Sequence, residues 1–223
     1  MTTPFIFEEK TALIAGGTGG LGSALRSELE AKGCVVVTVS RTQTDESSHI
    51  TADLRSPEAS TAVVSEVIDR FGKLDIVINA MGVVAFGSIN TTSVDTVEEL
   101  FLTNTFGHIF LMQAALQNMA TGSVLVGISG VIAEQNLPGM SVYGASKAAA
   151  RSFNEALARE ARRSGIRVID ARPPHTETGL ASRAIAGTPP KFPVGLDPHQ
   201  VARRIVQGIA DGETDLPAAA FAP

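Results

Sequence analysis

The sequence predicts a doubly wound parallel sheet with helices on both faces, and three observations indicate this α/β class. The chain has 223 residues, a length that suits one α/β domain with a sizeable core. Short apolar runs alternate with stretches of helical spacing along most of the chain, as in a parallel sheet. The first apolar run leads into a glycine-rich turn and then a helix. No repeat or break in composition interrupts this alternation, so we expect a single domain over residues 1–223.

Composition argues against several classes of function. The formal net charge is −5 and no basic block stands out, which disfavours binding to nucleic acid or to an anionic membrane surface. No apolar run approaches the roughly 20 residues of a membrane span, and the N-terminus lacks a signal-peptide pattern, so we expect a cytoplasmic location. The four histidines lack ligand spacing and Cys34 is the only cysteine. We therefore expect neither a metal site nor an internal disulfide.

The glycine-rich turn predicts a dinucleotide site. An apolar strand is expected over residues 11–15, and a helix over residues 23–32 follows the turn. Glycines allow the backbone to approach a pyrophosphate, and the N-terminus of a helix adds a partial positive charge. The turn residues expected to contact the cofactor are Gly16, Thr18, Gly19, Gly20, Leu21 and Gly22.

The end of the second predicted strand indicates which cofactor binds. Residues 34–39 are almost continuously apolar, and Ser40 and Arg41 follow them. A fold that prefers NAD usually has an acidic residue there to hold the ribose 2′-hydroxyl, whereas an arginine can pair with a 2′-phosphate. We therefore predict NADP(H) in preference to NAD(H). The alternative is that Arg41 is an exposed loop arginine.

Two further strand ends carry candidate residues. Asp53 and Leu54 follow a short strand, and the Asp53 carboxylate either accepts from an adenine amino group or caps the helix that begins near Ser56. The central strand ends in Asn79, Ala80 and Gly82, where small residues leave room for a ligand.

A predicted helix over residues 141–163 carries the candidate catalytic pair. Tyr143 and Lys147 are four residues apart and so share one helix face. A nearby ammonium favours the phenolate and should lower the pKa of the tyrosine, which would make it a general acid or base. A surface tyrosine beside a solvated lysine is the alternative. Asn104 lies in a long helical stretch over residues 94–119 among apolar residues, and by itself reads as a hydrogen-bonded core amide.

These motifs together resemble the short-chain dehydrogenase/reductase family over about residues 11–178. The Tyr-x-x-x-Lys pair of the family falls on Tyr143 and Lys147, and its relay asparagine falls on Asn104. Its glycine motif falls on Ala15, Gly16, Gly20 and Gly22, its adenine-side acid on Asp53, its Asn-Asn-Ala-Gly motif on Asn79, Ala80, Met81 and Gly82, and its Pro-Gly-x-x-x-Thr loop on Pro173, Pro174 and Thr178.

The resemblance implies a Rossmann-type fold and hydride transfer between NADP(H) and a small hydrophobic ketone or secondary alcohol. Tyr143 would exchange the proton, Lys147 would lower the pKa of the phenol and hold the nicotinamide ribose, and Asn104 would sustain a proton relay through water. The family also implies a homodimer or homotetramer. The cofactor contacts would include Ser40, Arg41, Asp53, Leu54, Asn79, Ala80, Gly82, Tyr143, Lys147, Pro173, Thr176 and Thr178 besides the glycine turn.

One departure from the family concerns a hydroxyl. The family serine that polarises the reacting oxygen falls on Gly130, so the neighbouring Ser129 is the provisional substitute if the strand end is shifted or bulged. The alternative function that follows from Gly130 is a catalytically weak NADP(H)-binding sensor or scaffold. Residues 175–198 are rich in glycine, proline and alanine and are expected to form a mobile lid. The residues expected to line an apolar substrate site are Val84, Phe86, Ile132, Ala133, Gln135, Asn136, Met140, His175 and Leu180.

Overall fold

The computed structural model describes residues 4–222 and contains a seven-stranded parallel sheet. The strands lie in the order β3-β2-β1-β4-β5-β6-β7. The chain therefore reverses its direction of growth between β1 and β4, which is where ligands bind in open α/β sheets. The strand bounds are β1 Thr11–Ala15, β2 Val35–Ser40, β3 His49–Thr51, β4 Ile76–Asn79, β5 Val124–Ile128, β6 Arg167–Ala171 and β7 Asp215–Leu216.

Helices cover both faces of the sheet, as the sequence predicts for a Rossmann-type fold. The helices α1 and α6 pack on one face and α2, α4 and α5 on the other. The strand β1 supplies both cores, because Ala12 and Ile14 face one side while Leu13 and Ala15 face the other. The helix bounds are α1 Gly20–Glu30, α2 Pro57–Phe71, α3 Val94–Phe101, α4 Gly107–Asn118, α5 Ser141–Ala161 and α6 Pro198–Asp211.

The start of α2 decides one of the alternatives for Asp53. Ser56 is the cap of this helix, since its hydroxyl accepts from the Ala59 N–H at 3.2 Å, and Pro57 occupies the first turn. The Asp53 carboxylate instead accepts from the Arg55 N–H at 3.1 Å. Asp53 therefore lies outside the helix cap and borders the cleft at the edge of the sheet.

The long helical stretch over residues 94–119 is one helix path with an interruption. A π-helical turn over Leu102–Phe106 joins α3 to α4. The wider turn buries Thr103, Asn104 and Thr105 together. Asn104 thus reaches the interior at the point where this helix path passes α5.

The segment over residues 175–198 lies across the carboxyl edge of the sheet. Isolated bridges pair Ala85 with Ala186 and Thr176 with Leu196. Leu180 and Phe192 pack against the buried side chains of Val84 and Phe86. The segment therefore packs against the cleft that it covers. Among the described residues, no helix is both long enough and apolar enough to cross a bilayer.

Candidate active site

A cleft of about 720 Å³ lies at the carboxyl edge of the sheet. Strand ends from both halves of the sheet meet there, so most of the predicted site residues come together. Those that line the cleft are Gly16, Thr18, Gly19, Gly20, Leu21, Gly22, Ser40, Arg41, Asp53, Leu54, Ala80, Gly82, Ser129, Tyr143, Lys147, Pro173, Thr176 and Thr178. Asn79 and Asn104 are not among the lining residues, and both are buried beneath the cleft.

The glycine turn has the geometry of a phosphate cradle. Gly16 has φ +77°, and a Cβ built there would lie 2.9 Å from the backbone of Ala80. A Cβ at Gly22 would lie 2.2 Å from the Gly16 carbonyl oxygen. The helix α1 begins at Gly20 without a side-chain cap. Its first N–H groups are therefore free of a side-chain acceptor and suit an anionic group, so these residues fit the pyrophosphate of a dinucleotide.

Charged side chains cluster at the adenine end of the cleft. Hydrogen bonds from the Arg55 side chain, at 2.5 to 3.0 Å, lower the pKa of Asp53. Arg41 is 54% exposed, and its Nη1 lies 3.6 Å from Glu99 Oε1. Arg55 and Glu99 were not among the site residues predicted from the sequence. Arg55 follows the strand-end acid by two residues and offered a local signal, whereas Glu99 arrives from the distant helix α3.

The Tyr143 phenol does not have the lowered pKa expected from its lysine neighbour. Tyr143 is half-buried among apolar side chains at the start of α5, and burial raises its pKa to about 12. The Lys147 Nζ donates to the Ile128 carbonyl at 2.9 Å instead of to the phenol. Burial lowers the pKa of Lys147 to about 8 against the attraction of Asp170. The expectation of a depressed tyrosine pKa was therefore wrong, because desolvation is the larger effect.

Asn104 connects the cleft floor to α5. Its Oδ1 accepts from the Val83 N–H at 2.9 Å, and its Nδ2 donates to the Val83 carbonyl at 2.9 Å and to Ser146 Oγ at 3.0 Å. A Cβ at Gly82 would lie 3.4 Å from Asn104 Oδ1 and 3.5 Å from Lys147 Nζ. The amide is thus a hydrogen-bonded core group, as its sequence context suggested. Gly82 lies between this amide and the ammonium of Lys147.

Ser129 does not present its hydroxyl to the cleft. The residue is fully buried, and its Oγ donates to the Asp170 carboxylate at 2.8 and 3.0 Å. Gly130 has φ +78°, and the nearest atom to a Cβ built there is the Pro173 carbonyl oxygen at 3.9 Å. The provisional role of Ser129 as the polarising hydroxyl is therefore corrected, since this hydroxyl anchors β5 to β6. Gly130 leaves open space where a side chain would point.

Asn79 is likewise corrected from a cofactor contact to a member of a buried polar chain. Its Nδ2 donates to His108 Nδ1 at 2.8 Å, and its Oδ1 accepts from the Met81 N–H at 2.9 Å. His108 Nε2 then donates to Asn154 Oδ1 at 2.6 Å, and Asn154 Nδ2 donates to Asp170 at 2.7 Å. Burial lowers the pKa of His108 to about 4, so its ring is neutral at pH 7. Along this series of side chains, each residue donates a hydrogen bond to the next one, and the series ends at the Asp170 carboxylate.

Apolar side chains enclose the other end of the cleft. Val84, Phe86, Ile132 and Met140 form a buried cluster, against which Tyr143 packs. His175 stacks on Phe192 with ring centroids 4.8 Å apart. Of the nine residues predicted to line a substrate site, Ala133, Gln135 and Asn136 do not line the cleft. The lining residues that sequence reasoning missed here are Val83, Val131, Leu137, Ala181, Arg183 and Phe192.

Comparison with known proteins places this architecture in a family. The family model described as short chain dehydrogenase matches residues 10–188. Dehydrogenase/reductase SDR family member 7B of Danio rerio is 27% identical over 245 residues, which cover 97% of this chain and 79% of that protein. Hydroxynaphthalene reductase arp2 of Aspergillus fumigatus is 26% identical over 217 residues, with 91% and 78% covered.

A solved structure agrees with these relatives. A short chain dehydrogenase from Burkholderia cenocepacia, in complex with NADP, superposes with a TM-score of 0.82 at 25% identity, covering 98% of this chain and 100% of that one. The family match extends from β1 to the segment over the cleft and so includes most of the described site. The chain belongs to the short-chain dehydrogenase/reductase family of oxidoreductases.

Proposed function

We propose that this protein transfers a hydride between NADP(H) and the carbonyl or carbinol carbon of a small hydrophobic ketone or secondary alcohol. The observation that carries the proposal is the position of Tyr143 in the cleft. The phenol packs on an apolar cluster at one end of the cleft, and the uncapped start of helix α1 and the glycine turn line the same cleft. A cofactor that supplies a hydride and a phenol that supplies a proton are the two requirements of carbonyl reduction.

The cofactor would extend along the whole carboxyl edge of the sheet. The glycine turn would hold the pyrophosphate, Ser40 and Arg41 the 2′-phosphate, and Asp53 and Leu54 the adenine. Ala80, Gly82, Tyr143 and Lys147 would line the nicotinamide ribose, with Pro173, Thr176 and Thr178 over the ring. NADP in the Burkholderia cenocepacia structure supports this assignment at the level of the family. When bound, the cofactor supplies the hydride.

The protein would supply the proton from Tyr143. A pKa of about 12 keeps the phenol protonated at neutral pH, so it has a proton to donate to a forming alkoxide. Lys147 lies one helical turn away, and its pKa of about 8 leaves the ammonium largely protonated at pH 7. The cation would stabilise the tyrosinate that remains, and Asn104 would fix the backbone of Val83 beside this pair.

The substrate would be apolar, with room for a substituent beside its reacting carbon. Val84, Phe86, Ile132 and Met140 are all apolar, although Arg183 also lines the cleft. The open space beside Gly130 accepts a substituent that a serine would block. Reductase activity on a hydroxynaphthalene is stated by the name of the Aspergillus fumigatus relative. We therefore propose aromatic ketones as the first substrates to examine, with His175 as the polar group that orients them.

The same glycine supports a second function. Loss of one polarising hydroxyl can cost roughly 10²–10³ in rate, by analogy with an oxyanion donor. A chain without that hydroxyl suits an NADP(H)-binding sensor or scaffold. The intact group of Tyr143, Lys147 and Asn104 favours the enzyme.

The deciding experiment follows NADPH oxidation over a panel of aromatic and aliphatic ketones, with wild type beside Tyr143→Phe. The enzyme proposal expects the variant to bind NADPH normally and to lose reduction by roughly 10²–10⁴-fold. A wild-type chain that binds NADPH but reduces no ketone faster than the variant would support the sensor instead.

We also propose that residues 1–223 act as one domain and that residues 175–198 move as a lid over the bound substrate.

A further inference from the structure

A second arginine stands beside Arg41 at the adenine end of the cleft. Arg55 lines the cleft, and two carboxylates hold its guanidinium in place. Its Nε and Nη2 donate to Asp53 at 2.5 to 3.0 Å, and its Nη1 donates to Glu99 Oε2 at 2.5 Å. Each terminal nitrogen retains a further N–H that these bonds do not use. Arg55 is therefore a cation held in a defined orientation, and it still has N–H groups free to bind an anion in the cleft.

Glu99 connects the two arginines. Its Oε2 accepts from Arg55, while its Oε1 lies 3.6 Å from Arg41 Nη1 and accepts from Thr103 Oγ1 at 3.1 Å. The carboxylate is only 27% exposed, whereas Arg41 is 54% exposed. An anion thus already lies between the two guanidinium groups. The charges of Arg41, Arg55, Asp53 and Glu99 cancel.

We propose that Arg55 is a second specificity-determining residue for the 2′-phosphate of the cofactor, and that Glu99 limits this selectivity. The inference rests on the proposed use of NADP(H). A phosphate monoester carries between one and two negative charges at neutral pH. With Arg41 alone, it would face the two carboxylates of Asp53 and Glu99 with a net negative surround. Arg55 brings the surround to neutrality, and its fixed donors lower the entropic cost of binding the phosphate.

The two variants should act in opposite directions. Arg55→Ala leaves one cation against two carboxylates, so it should weaken a 2′-phosphorylated nucleotide. Glu99→Gln leaves two cations against one carboxylate, so it should strengthen the same nucleotide. A purely structural role for the Arg55–Glu99 pair, joining the β3–α2 turn to α3, would change binding of phosphorylated and unphosphorylated nucleotides by the same factor.

The test measures dissociation constants of the full chain by calorimetry for 2′,5′-ADP and 5′-AMP, and for NADPH and NADH. The selectivity is the ratio of the two constants in each pair. We expect Arg55→Ala to lower the preference for 2′,5′-ADP over 5′-AMP by about tenfold or more, and Glu99→Gln to raise it several-fold. Arg70→Ala is the matched control, because Arg70 pairs with Glu66 on the surface of α2 outside the cleft. Selectivity that is unchanged in both variants, or that shifts in the same direction in both, overturns the inference.

The ratio separates this inference from the proposed function. A wild type that shows no preference for NADPH over NADH speaks against the NADP(H) proposal, yet the two variants must still move the ratio in opposite directions if Arg55 and Glu99 act as stated. If Arg55→Ala does not fold, Glu99→Gln decides the question alone, because it keeps the shape of the side chain and removes only its charge. An unchanged ratio in Glu99→Gln then counts against the inference.

Discussion

At the scale of single residues, desolvation controls the candidate catalytic pair. Burial raises the pKa of Tyr143 to about 12 and lowers that of Lys147 to about 8. Both shifts favour the neutral form of the side chain, as transfer out of water should. Tyr143 is therefore a protonated phenol at neutral pH, and Lys147 beside it is a cation with a pKa of about 8. This combination suits reduction, in which the phenol donates a proton.

The pKa of Lys147 predicts how reduction depends on pH. The ammonium is present below about pH 8 and is lost above it, while the phenol stays protonated throughout that range. We expect kcat/KM for ketone reduction to fall as the pH rises through about 8. Steady-state rates at fixed NADPH between pH 6 and 10 check this, with Lys147→Met as the variant that should be slow and lack this limb. A wild-type rate that stays level to pH 10 would contradict the assignment.

Gly130 offers a second prediction at this scale. Its φ of +78° is strained for a residue with a Cβ, although space for one is open. At φ +78° and ψ 161° the backbone lies in a region that is essentially restricted to glycine, so Gly130→Ala should cost roughly 1–3 kcal/mol in free energy of unfolding. The variant should also raise KM for bulky ketones more than for small ones.

Gly122→Ala is the matched control for Gly130→Ala. Gly122 has φ +90°, has no atom within 4 Å of a built Cβ, and does not line the cleft. Urea unfolding should show a loss of stability in both variants, because each places a Cβ at a positive φ, while only the Gly130 variant changes the ratio of KM for bulky and small ketones. Equal KM ratios in both variants would remove Gly130 from the substrate site.

At the scale of elements, features within one strand, turn or helix were predictable from the sequence, whereas side-chain contacts between different elements were not. The glycine turn follows β1 directly, and Tyr143 and Lys147 are one helical turn apart, so the sequence contains all that positions them. Ser129 differs, because its orientation depends on Asp170, which β6 places beside it through the register of β5 with β6. No pattern within β5 reveals that partner.

The position of the π-helical turn could not be predicted from the sequence. The apolar spacing of residues 94–119 predicts helix correctly, but it does not show where the helix widens. Because Asn104 lies in the widened turn, its contacts with Val83 and Ser146 follow from a local change of helical period. The family resemblance, rather than periodicity, singled out Asn104 as a functional candidate.

The buried polar chain joins β4, α4, α5 and β6, and it makes a prediction about stability. The pKa of His108 is lowered to about 4 in the folded chain from 6.5. As the pH falls below 6.5 the unfolded chain binds a proton that the folded chain refuses, so stability should fall, by at most about 1.4 kcal/mol for each pH unit from this group. His108→Gln should reduce that fall.

Urea unfolding at several pH values between 4 and 7.5 measures the slope for His108→Gln. His199→Gln serves as the control, since the His199 side chain is 53% exposed and lies outside the buried polar chain. Parallel stability curves for wild type and His108→Gln would show that this histidine titrates alike in the folded and unfolded chains.

At the scale of the whole molecule, the sheet reversal gathers the site. Gly16 follows β1, Ala80 follows β4, Gly130 follows β5 and Pro173 follows β6, so all four lie at one edge although the sequence separates them widely. Two separate cores on the faces of the sheet hold this edge in place. The surface of the π-helical turn carries exposed apolar side chains, with Leu102 37% and Phe106 45% exposed.

These exposed side chains suit the homodimer or homotetramer that the family resemblance implies. Phe106 stacks on Phe110 with ring centroids 6.3 Å apart, so a flat aromatic surface faces outward from the same turn that buries Asn104. We expect wild type to exceed the monomer mass in light scattering and Phe106→Glu to lower that mass, because a charge on a self-complementary surface meets its own copy. Val194→Glu is the control, since Val194 is 94% exposed in the segment over the cleft.

If assembly does involve this turn, Phe106→Glu should also weaken ketone reduction, because the interface and the Asn104 contacts share one helical turn. A wild type that stays monomeric at every concentration would refute the assembly, and a dissociated variant with full activity would refute its link to the site.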